Sequence, residues 1–224
     1  MPELDAHTHL RVQTSLLSRT EKAVLQAFAR RIPRWINSDH LTLLGLAGMV
    51  LAAACYWFAN GFPVLLHVAS VAIVVNWFGD SMDGTLARFR GRLRPRYGYY
   101  VDHILDSVGA ALVVGGLVLG GFMSSEPAAL FLVAYFLLNI HIYLATSSIG
   151  EFKISFGLLG PTELRIGLIV GNAFLVTRPV VHVIGARFLL FDLGATIGAG
   201  VLFLILIVAS ARVVRRLYRL ETMP

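Results

Sequence analysis

Four aspartates between positions 80 and 106 are the residues best suited to chemistry in this 224-residue chain: Asp80, Asp83, Asp102 and Asp106. The first two are three residues apart and the last two are four apart, so each pair projects from one face of a helix. Carboxylates this close repel one another unless their pKa values rise or cations lie between them. Oxygen ligands without His or Cys favour hard cations, Mg²⁺ or Mn²⁺, and also suit Ca²⁺. Four carboxylates can hold two such ions, an arrangement suited to phosphoryl transfer.

The residues that follow the first pair indicate a phosphate ligand. Gly84 and Ala87 keep the helix face beside the acids free of bulk, so a ligand can approach closely. Arg88 lies one turn after Gly84 and can bind a phosphate through two donors. Metal ligands, small residues and an arginine at one helix end predict a diphosphate site. The structural alternative is a buried network of carboxylates and arginine that ties two helices together.

Composition places these acids in a membrane protein. The chain is 57% hydrophobic and only 14% charged, with a mean hydropathy of +0.73, whereas a soluble domain is about 45–50% apolar and about 25% charged. This excludes a disordered chain, a nucleic-acid-binding tail and most soluble folds. The single Cys55 excludes an internal disulfide framework and a cysteine-based metal cluster. Ionised groups are costly at membrane depth, so the acidic cluster indicates function.

Six segments have the length and composition of membrane-spanning helices, which need about 20 mainly apolar residues. They are residues 41–60, 62–89, 99–122, 127–146, 164–183 and 190–213. The short connection between the second and third predicts that these two helices are antiparallel neighbours. Polar side chains in the apolar segments have further roles: Tyr56 and Trp57 fit an outer aromatic belt, and Asn139 and Asn172 can bridge helices.

An amphipathic helix is predicted over residues 16–36, ahead of the first span. It either lies on an anionic membrane surface or packs on the protein's own cytoplasmic side. Asn37 is in position to cap the first spanning helix. The predicted organisation is an all-α membrane protein with a cytoplasmic N-terminal segment (1–37), a six-helix transmembrane catalytic domain (38–214) and a cytoplasmic tail (215–224).

Basic residues set the expected orientation. All of the 19 Lys and Arg residues except Arg178 and Arg187 fall on the side of the chain termini, which predicts that both termini and the acidic cluster are cytoplasmic. No targeting sequence is visible, and the pattern suits an inner membrane. The arginines between positions 90 and 96 fit a solvated loop, or alternatively a site for lipid phosphate.

The aspartates lie in a pattern that resembles the signature of the CDP-alcohol phosphotransferase family, D-x-x-D-G-x-x-A-R followed by G-x-x-x-D-x-x-x-D. The first part runs from Asp80 to Arg88 and the second from Gly98 to Asp106. The resemblance implies an integral membrane enzyme of phospholipid biosynthesis with six spans. It further implies transfer of a phosphoalcohol group from a CDP-alcohol to an alcohol acceptor, two divalent cations, and a homodimer. Nothing indicates a nucleic-acid partner.

The resemblance also implies roles for individual residues. One metal would be held by Asp80, Asp83 and Asp102, and a second by Asp80, Asp102 and Asp106. Asp106 would also take the proton of the acceptor hydroxyl. The CDP moiety would contact Asp83, Gly84, Ala87 and Arg88, and Thr42 would lie beside the nucleotide.

Glu163 and Arg165 open the fifth predicted span and have two interpretations: recognition of the acceptor or headgroup, or a charge pair that anchors the helix end. The favoured donor is CDP-diacylglycerol with a small polar acceptor. The alternative is a CDP-ethanolamine or CDP-choline donor with a diacylglycerol-like acceptor. A cation transporter is the alternative of another class, although its acids should spread across the bilayer midplane.

Overall fold

The computed structural model describes residues 18–149, 161–177, 180–183 and 185–221. Helices and strands follow one another as α1 (Ser18–Ala29), α2 (Ser38–Phe58), α3 (Leu65–Phe89), α4 (Pro95–Leu119), α5 (Ser125–Ile149), α6 (Pro161–Thr177), β1 (Val180–Val183), β2 (Ala186–Leu189) and α7 (Leu190–Leu220). Five of these helices, α2, α3, α4, α5 and α7, are long and apolar enough to cross a membrane. Among the described residues the protein is therefore a helical bundle of membrane-spanning length.

The fifth predicted span differs from the structure. Residues 164–183 do not form one helix: α6 ends at Thr177, and β1 pairs with β2 in an antiparallel hairpin whose turn contains Gly185 at φ +80°. Proline restricts the preceding residue and cannot donate an amide hydrogen, so Pro179 is incompatible with a continuous helix here. With 17 residues, α6 is about 26 Å long. The six-span count stays a prediction.

Glycines let α2 lie close to both α3 and α4. A Cβ on Gly79 would lie 2.5 Å from the backbone nitrogen of Gly45, and a Cβ on Gly48 would lie 2.7 Å from the carbonyl oxygen of Ala72. On the other side of α2, a Cβ on Gly116 would lie 2.5 Å from the Ala53 carbonyl oxygen. Helices α3 and α4 both pack chiefly on α2. The prediction that α3 and α4 are direct neighbours is therefore wrong: the two helices have few close backbone contacts with each other, and each packs on α2 instead.

Buried polar side chains bridge the apolar core of the bundle. The Tyr56 hydroxyl donates to Asn172 Oδ1 over 2.8 Å, and Asn172 Nδ2 donates to Ser70 Oγ over 3.0 Å. Tyr56 is fully buried, so its assignment to an aromatic belt is wrong, whereas Trp57 is 53% exposed. The hydroxyl needs a partner inside the bundle, and Asn172 supplies it. The prediction that Asn172 bridges helices is confirmed, whereas the same prediction for Asn139 stays a prediction.

Of the two interpretations of the N-terminal helix, packing on the protein itself is seen in the structure, and the side of the membrane stays a prediction. Helix α1 covers only Ser18–Ala29 of the predicted segment, and its Leu25 and Ala29 pack with Leu41, Met82 and Leu86. Arg90 donates to the carbonyl oxygens of Ile32, Pro33 and Ile36, which fixes the linker from α1 to α2. Contact with a membrane surface stays a prediction.

Two side chains at the start of α2 and α4 define this end of the bundle further. Asn37 is the N-cap of α2, as predicted, and its backbone amide donates to His40 Nδ1 over 3.1 Å. Arg94 pairs with Asp39 and lies 4.1 Å from the centroid of the Tyr97 ring. Arg90 and Arg94 therefore have protein partners.

Two basic residues are predicted to lie on the opposite side of the membrane from the termini. Arg178 lies outside the described residues, and Arg187 is exposed in β2.

The close approach of α2 and α3 predicts the effect of adding one methyl group. Gly79→Ala forces the two backbones apart and should cost about 1–3 kcal/mol of folding free energy. Gly115→Ala is the matched control, because a Cβ on Gly115 meets no atom within 4 Å. Thermal unfolding in detergent should show a Tm several degrees lower for Gly79→Ala and no loss for Gly115→Ala. Equal Tm values for the two variants would contradict close α2–α3 packing.

Candidate functional site

Three of the four aspartates form a tight cluster. Carboxylate oxygens of Asp80 on α3 and of Asp102 and Asp106 on α4 all lie within 4.8 Å of one another. All three side chains are partly buried. Asp102 and Asp106 are one helical turn apart, so both face the same side of α4. The cluster therefore provides several carboxylate oxygens around a space the size of one ion.

The fourth aspartate lies beside this cluster and has a different environment. Thr42 Oγ1 donates to Asp83 Oδ2 over 2.7 Å, and the Gly84 amide donates to Asp83 Oδ1. Asp83 nevertheless lines the same cavity as the other three aspartates, together with Thr42, Gly45, Leu46, Met49, Asn76 and Leu105. The structure therefore brings all four predicted carboxylates to one cavity, with Asp83 oriented by Thr42 of α2.

A buried arginine compensates part of this negative charge. Arg165 Nη2 lies 2.8 Å from Asp80 Oδ2, and Arg165 Nε donates to Asn76 Oδ1 over 2.8 Å. The side chain of Arg165 reaches α3 from α6. The sequence offers a charge pair that anchors the helix end as one interpretation of Arg165. In the structure Arg165 forms such a pair, and its partner is Asp80.

Sequence reasoning missed Asn76. Its signal was available, because an asparagine four residues before Asp80 lies on the same face of a largely apolar helix. Asn76 is 6% exposed, and its Nδ2 donates to the carbonyl oxygen of Gly45 over 3.0 Å. It links the α2–α3 contact to Arg165.

The predicted diphosphate residues lie on the last turns of α3. The side chain of Arg88 is exposed, and its Nη2 donates to Thr85 Oγ1 over 3.3 Å. A Cβ on Gly84 would lie 3.4 Å from Arg88 Nη1, in ordinary van der Waals contact with the guanidinium. Gly84 thus directly follows Asp83 of the acidic cavity, and Ala87 and Arg88 lie about one turn further along the same helix.

Two further residues lie at the margin of the site. Glu163 is partly buried in the first turn of α6, and its predicted role stays a prediction. His103 Nδ1 is 3.5 Å from Asp102 Oδ2, and the His103 ring lies between those of Tyr99 and Tyr143, at centroid distances of 4.3 and 5.1 Å. This packing gives His103 a place in an aromatic cluster next to Asp102.

The arrangement fits a divalent cation. Asp80, Asp102 and Asp106 supply only oxygen donors, which is the ligand set of hard cations such as Mg²⁺ and Mn²⁺. Their mutual repulsion in a partly buried cavity favours occupation by positive charge. An arginine and small residues at the same helix end provide room and charge for phosphate oxygens.

Comparison with known proteins identifies relatives of the chain. A family model described as CDP-alcohol phosphatidyltransferase matches residues 35–211. A phosphatidylinositol phosphate synthase of Streptomyces avermitilis is 34% identical over 97 residues, which are 43% of this chain and 38% of that protein. An archaetidylinositol phosphate synthase of Pyrococcus horikoshii is 26% identical over 104 residues, which are 46% of this chain and 52% of that protein. The matches thus cover about half or less of these relatives.

The geometry predicts that divalent-cation affinity depends on the cluster. Asp102→Asn removes one charged ligand and should weaken Mn²⁺ binding by about tenfold or more, because a carboxylate binds a hard cation far better than an amide does. Asp39→Asn is the matched control, since Asp39 lies outside the cluster and pairs with Arg94. Titration of purified protein with Mn²⁺, followed by electron paramagnetic resonance, measures both affinities. The cluster would lose its proposed role if the two variants bound Mn²⁺ as tightly as the natural protein.

Proposed function

The chain belongs to the CDP-alcohol phosphatidyltransferase family, and from this membership we propose that it transfers a phosphatidyl group from a CDP-diacylglycerol-type donor to a small polar alcohol, with release of CMP. The main support for this proposal is the acidic cluster. Carboxylate oxygens of Asp80, Asp102 and Asp106 lie within 4.8 Å of one another beside Asp83, and the four aspartates occupy the family's signature positions. As an integral membrane protein with several spanning helices, the chain is suited to lipid substrates.

The proposed ligand set is divided between two cations, Mg²⁺ or Mn²⁺. Asp80, Asp102 and Asp106 would hold one, and their close approach supports this set. Asp83 would join Asp80 and Asp102 around the other, with Thr42 orienting Asp83 through its hydroxyl. When bound, such cations neutralise charge on diphosphate oxygens and on the leaving phosphate.

Side chains of the chain itself bind the donor and move a proton. Arg88, with Gly84 and Ala87, would contact the CDP diphosphate at the end of α3, and Thr42 would lie beside the nucleotide. The acceptor hydroxyl would attack the β-phosphorus of the donor, and the bond from that phosphorus to the CMP oxygen would break. Asp106 would accept the hydroxyl proton, which requires only a carboxylate within hydrogen-bonding distance of the acceptor.

The acceptor is the least constrained part of the proposal. The two relatives named above are described as a phosphatidylinositol phosphate synthase and an archaetidylinositol phosphate synthase, which makes a phosphorylated inositol a candidate acceptor. Glu163, in the first turn of α6, is the residue proposed to contact an acceptor. A CDP-ethanolamine or CDP-choline donor with a diacylglycerol-like acceptor is the second candidate.

We further propose that both termini and the active site are cytoplasmic and that the enzyme is a homodimer in the inner membrane. The distribution of arginine supports the orientation. The dimer is carried over from the family resemblance.

A substrate panel tests the proposed activity. Purified protein with Mg²⁺ is offered CDP-diacylglycerol, CDP-choline and CDP-ethanolamine, each with inositol phosphate, glycerol phosphate or diacylglycerol, while CMP and product lipids are measured. We expect CMP release only with CDP-diacylglycerol and a polar acceptor, and none in EDTA. Turnover of CDP-choline with diacylglycerol would establish the second candidate. Cation flux without CMP release would favour a transporter.

The role of Asp106 predicts a separation of chemistry from binding. Asp106→Asn removes the proton acceptor and also one proposed metal ligand, so it is assayed at saturating Mg²⁺. There it should lower kcat by about 10²–10⁴-fold, while KM for the CDP-linked donor changes only a few-fold. Asp39→Asn makes the same chemical change on a carboxylate outside the cavity and should retain kcat. Steady-state CMP release measures both constants. Full turnover by Asp106→Asn would show that another group takes the proton.

A further inference from the structure

Arg165 occupies a position that the proposed reaction does not explain. It is 7% exposed, and its side chain crosses from α6 to α3, where it contacts one oxygen of Asp80. Asp80 is also a member of the tight carboxylate cluster with Asp102 and Asp106. A buried guanidinium therefore contacts one of the carboxylates that would bind a cation.

Hydrogen bonds orient the Arg165 side chain: its direct partners lie on α3, and one of them is in turn bonded to α2. Asn76 accepts from Arg165 Nε over 2.8 Å, and Asn76 itself donates to the Gly45 carbonyl oxygen over 3.0 Å. Asn76 is 6% exposed, at the point where the glycines bring α2 and α3 together. Because the Nδ2 of Asn76 donates to Gly45, its oxygen is left to accept from Arg165. The guanidinium is thereby held with Nη2 directed at Asp80.

The Arg165 guanidinium brings a positive charge to a cluster of three carboxylates. Three carboxylates within 4.8 Å repel one another strongly in a partly buried cavity. Arginine stays charged under all physiological conditions, so its compensation does not depend on pH. Removing one partner of a buried pair leaves an uncompensated charge, which is more costly than the pair itself.

We propose that Arg165 is a permanent counter-cation of the acidic cluster and a positioning residue for Asp80. It stabilises the folded protein before a divalent cation binds, and it holds one oxygen of Asp80 while the carboxylate faces the cluster. This inference rests on the proposed cation site but not on the choice of donor or acceptor. It differs from the role in acceptor recognition that the sequence left open for Arg165.

Thermal unfolding in detergent, in EDTA and in saturating Mg²⁺, tests the proposal. Arg165→Met should lower Tm by about 10 °C in EDTA and by about half as much in Mg²⁺, because the divalent cation then replaces the missing charge. The Tm increase caused by Mg²⁺ should therefore be larger than in the natural protein. Arg165→Lys keeps the charge and should respond to Mg²⁺ almost as the natural protein does.

A matched control separates charge compensation from helix anchoring. Tyr56→Phe removes the hydrogen bond from Tyr56 to Asn172, which anchors the same helix α6 away from the acids. Its Tm loss should be equal in EDTA and in Mg²⁺. An equal loss for Arg165→Met in the two conditions would show that Arg165 only anchors α6, and would overturn the proposal. A change confined to the acceptor KM would overturn it in favour of acceptor recognition.

A second variant keeps the test decisive if Arg165→Met does not fold. The double variant Arg165→Met with Asp80→Asn removes both charges, so in EDTA it should fold and have a higher Tm than Arg165→Met alone. A double variant that is no more stable than the single one would contradict charge compensation. If the natural protein shows no Tm change with Mg²⁺, the proposed cation site fails. In that case the proposal for Arg165 is decided by the EDTA measurement alone, that is, by whether adding Asp80→Asn raises the Tm of Arg165→Met.

Discussion

Repulsion among carboxylates is the constraint on which this structure depends. Asp80, Asp102 and Asp106 approach within 4.8 Å of one another in a bundle whose other residues are mostly apolar. Such a cluster is stable only if carboxylates are protonated or positive charge compensates them, because a partly buried carboxylate loses hydration and gains the field of its neighbours. Among the described residues, Arg165 supplies such a charge at Asp80. The remaining negative charge is what makes the cavity suited to a divalent cation.

The glycines of α2, α3 and α4 determine where the acids meet. Gly45 and Gly79 allow the α2 and α3 backbones to approach, and Gly116 does the same for α2 and α4. Helix α2 contributes Thr42 to Asp83 and the Gly45 carbonyl to Asn76. Helix α2 therefore sets the distance between the two acidic helices, α3 and α4, and orients side chains on α3.

The acidic site could be predicted from sequence because its signal is local. Spacings of three and four residues place Asp80 with Asp83 and Asp102 with Asp106, and helix geometry alone requires each pair to share a face. The roles of Asn76, Gly45 and Gly79 could not be predicted so directly, because they depend on which helices cross and how closely. The pairing of Arg165 with Asp80, which lies 85 positions earlier in the chain, likewise depends on tertiary packing. The fifth predicted span is the weakest of the six from sequence, because Arg178 and Pro179 interrupt it, and α6 ends just before them at Thr177.

The central claim is that Asp80, Asp102 and Asp106 bind a divalent cation between them. Anomalous diffraction at the manganese edge, from crystals of the protein grown with Mn²⁺ and a cytidine nucleotide, tests it most directly. The account predicts an anomalous peak within coordination distance of these three carboxylates, with Arg165 still in contact with Asp80. Absence of a peak there at saturating Mn²⁺, or carboxylates that point away from one another, would contradict it.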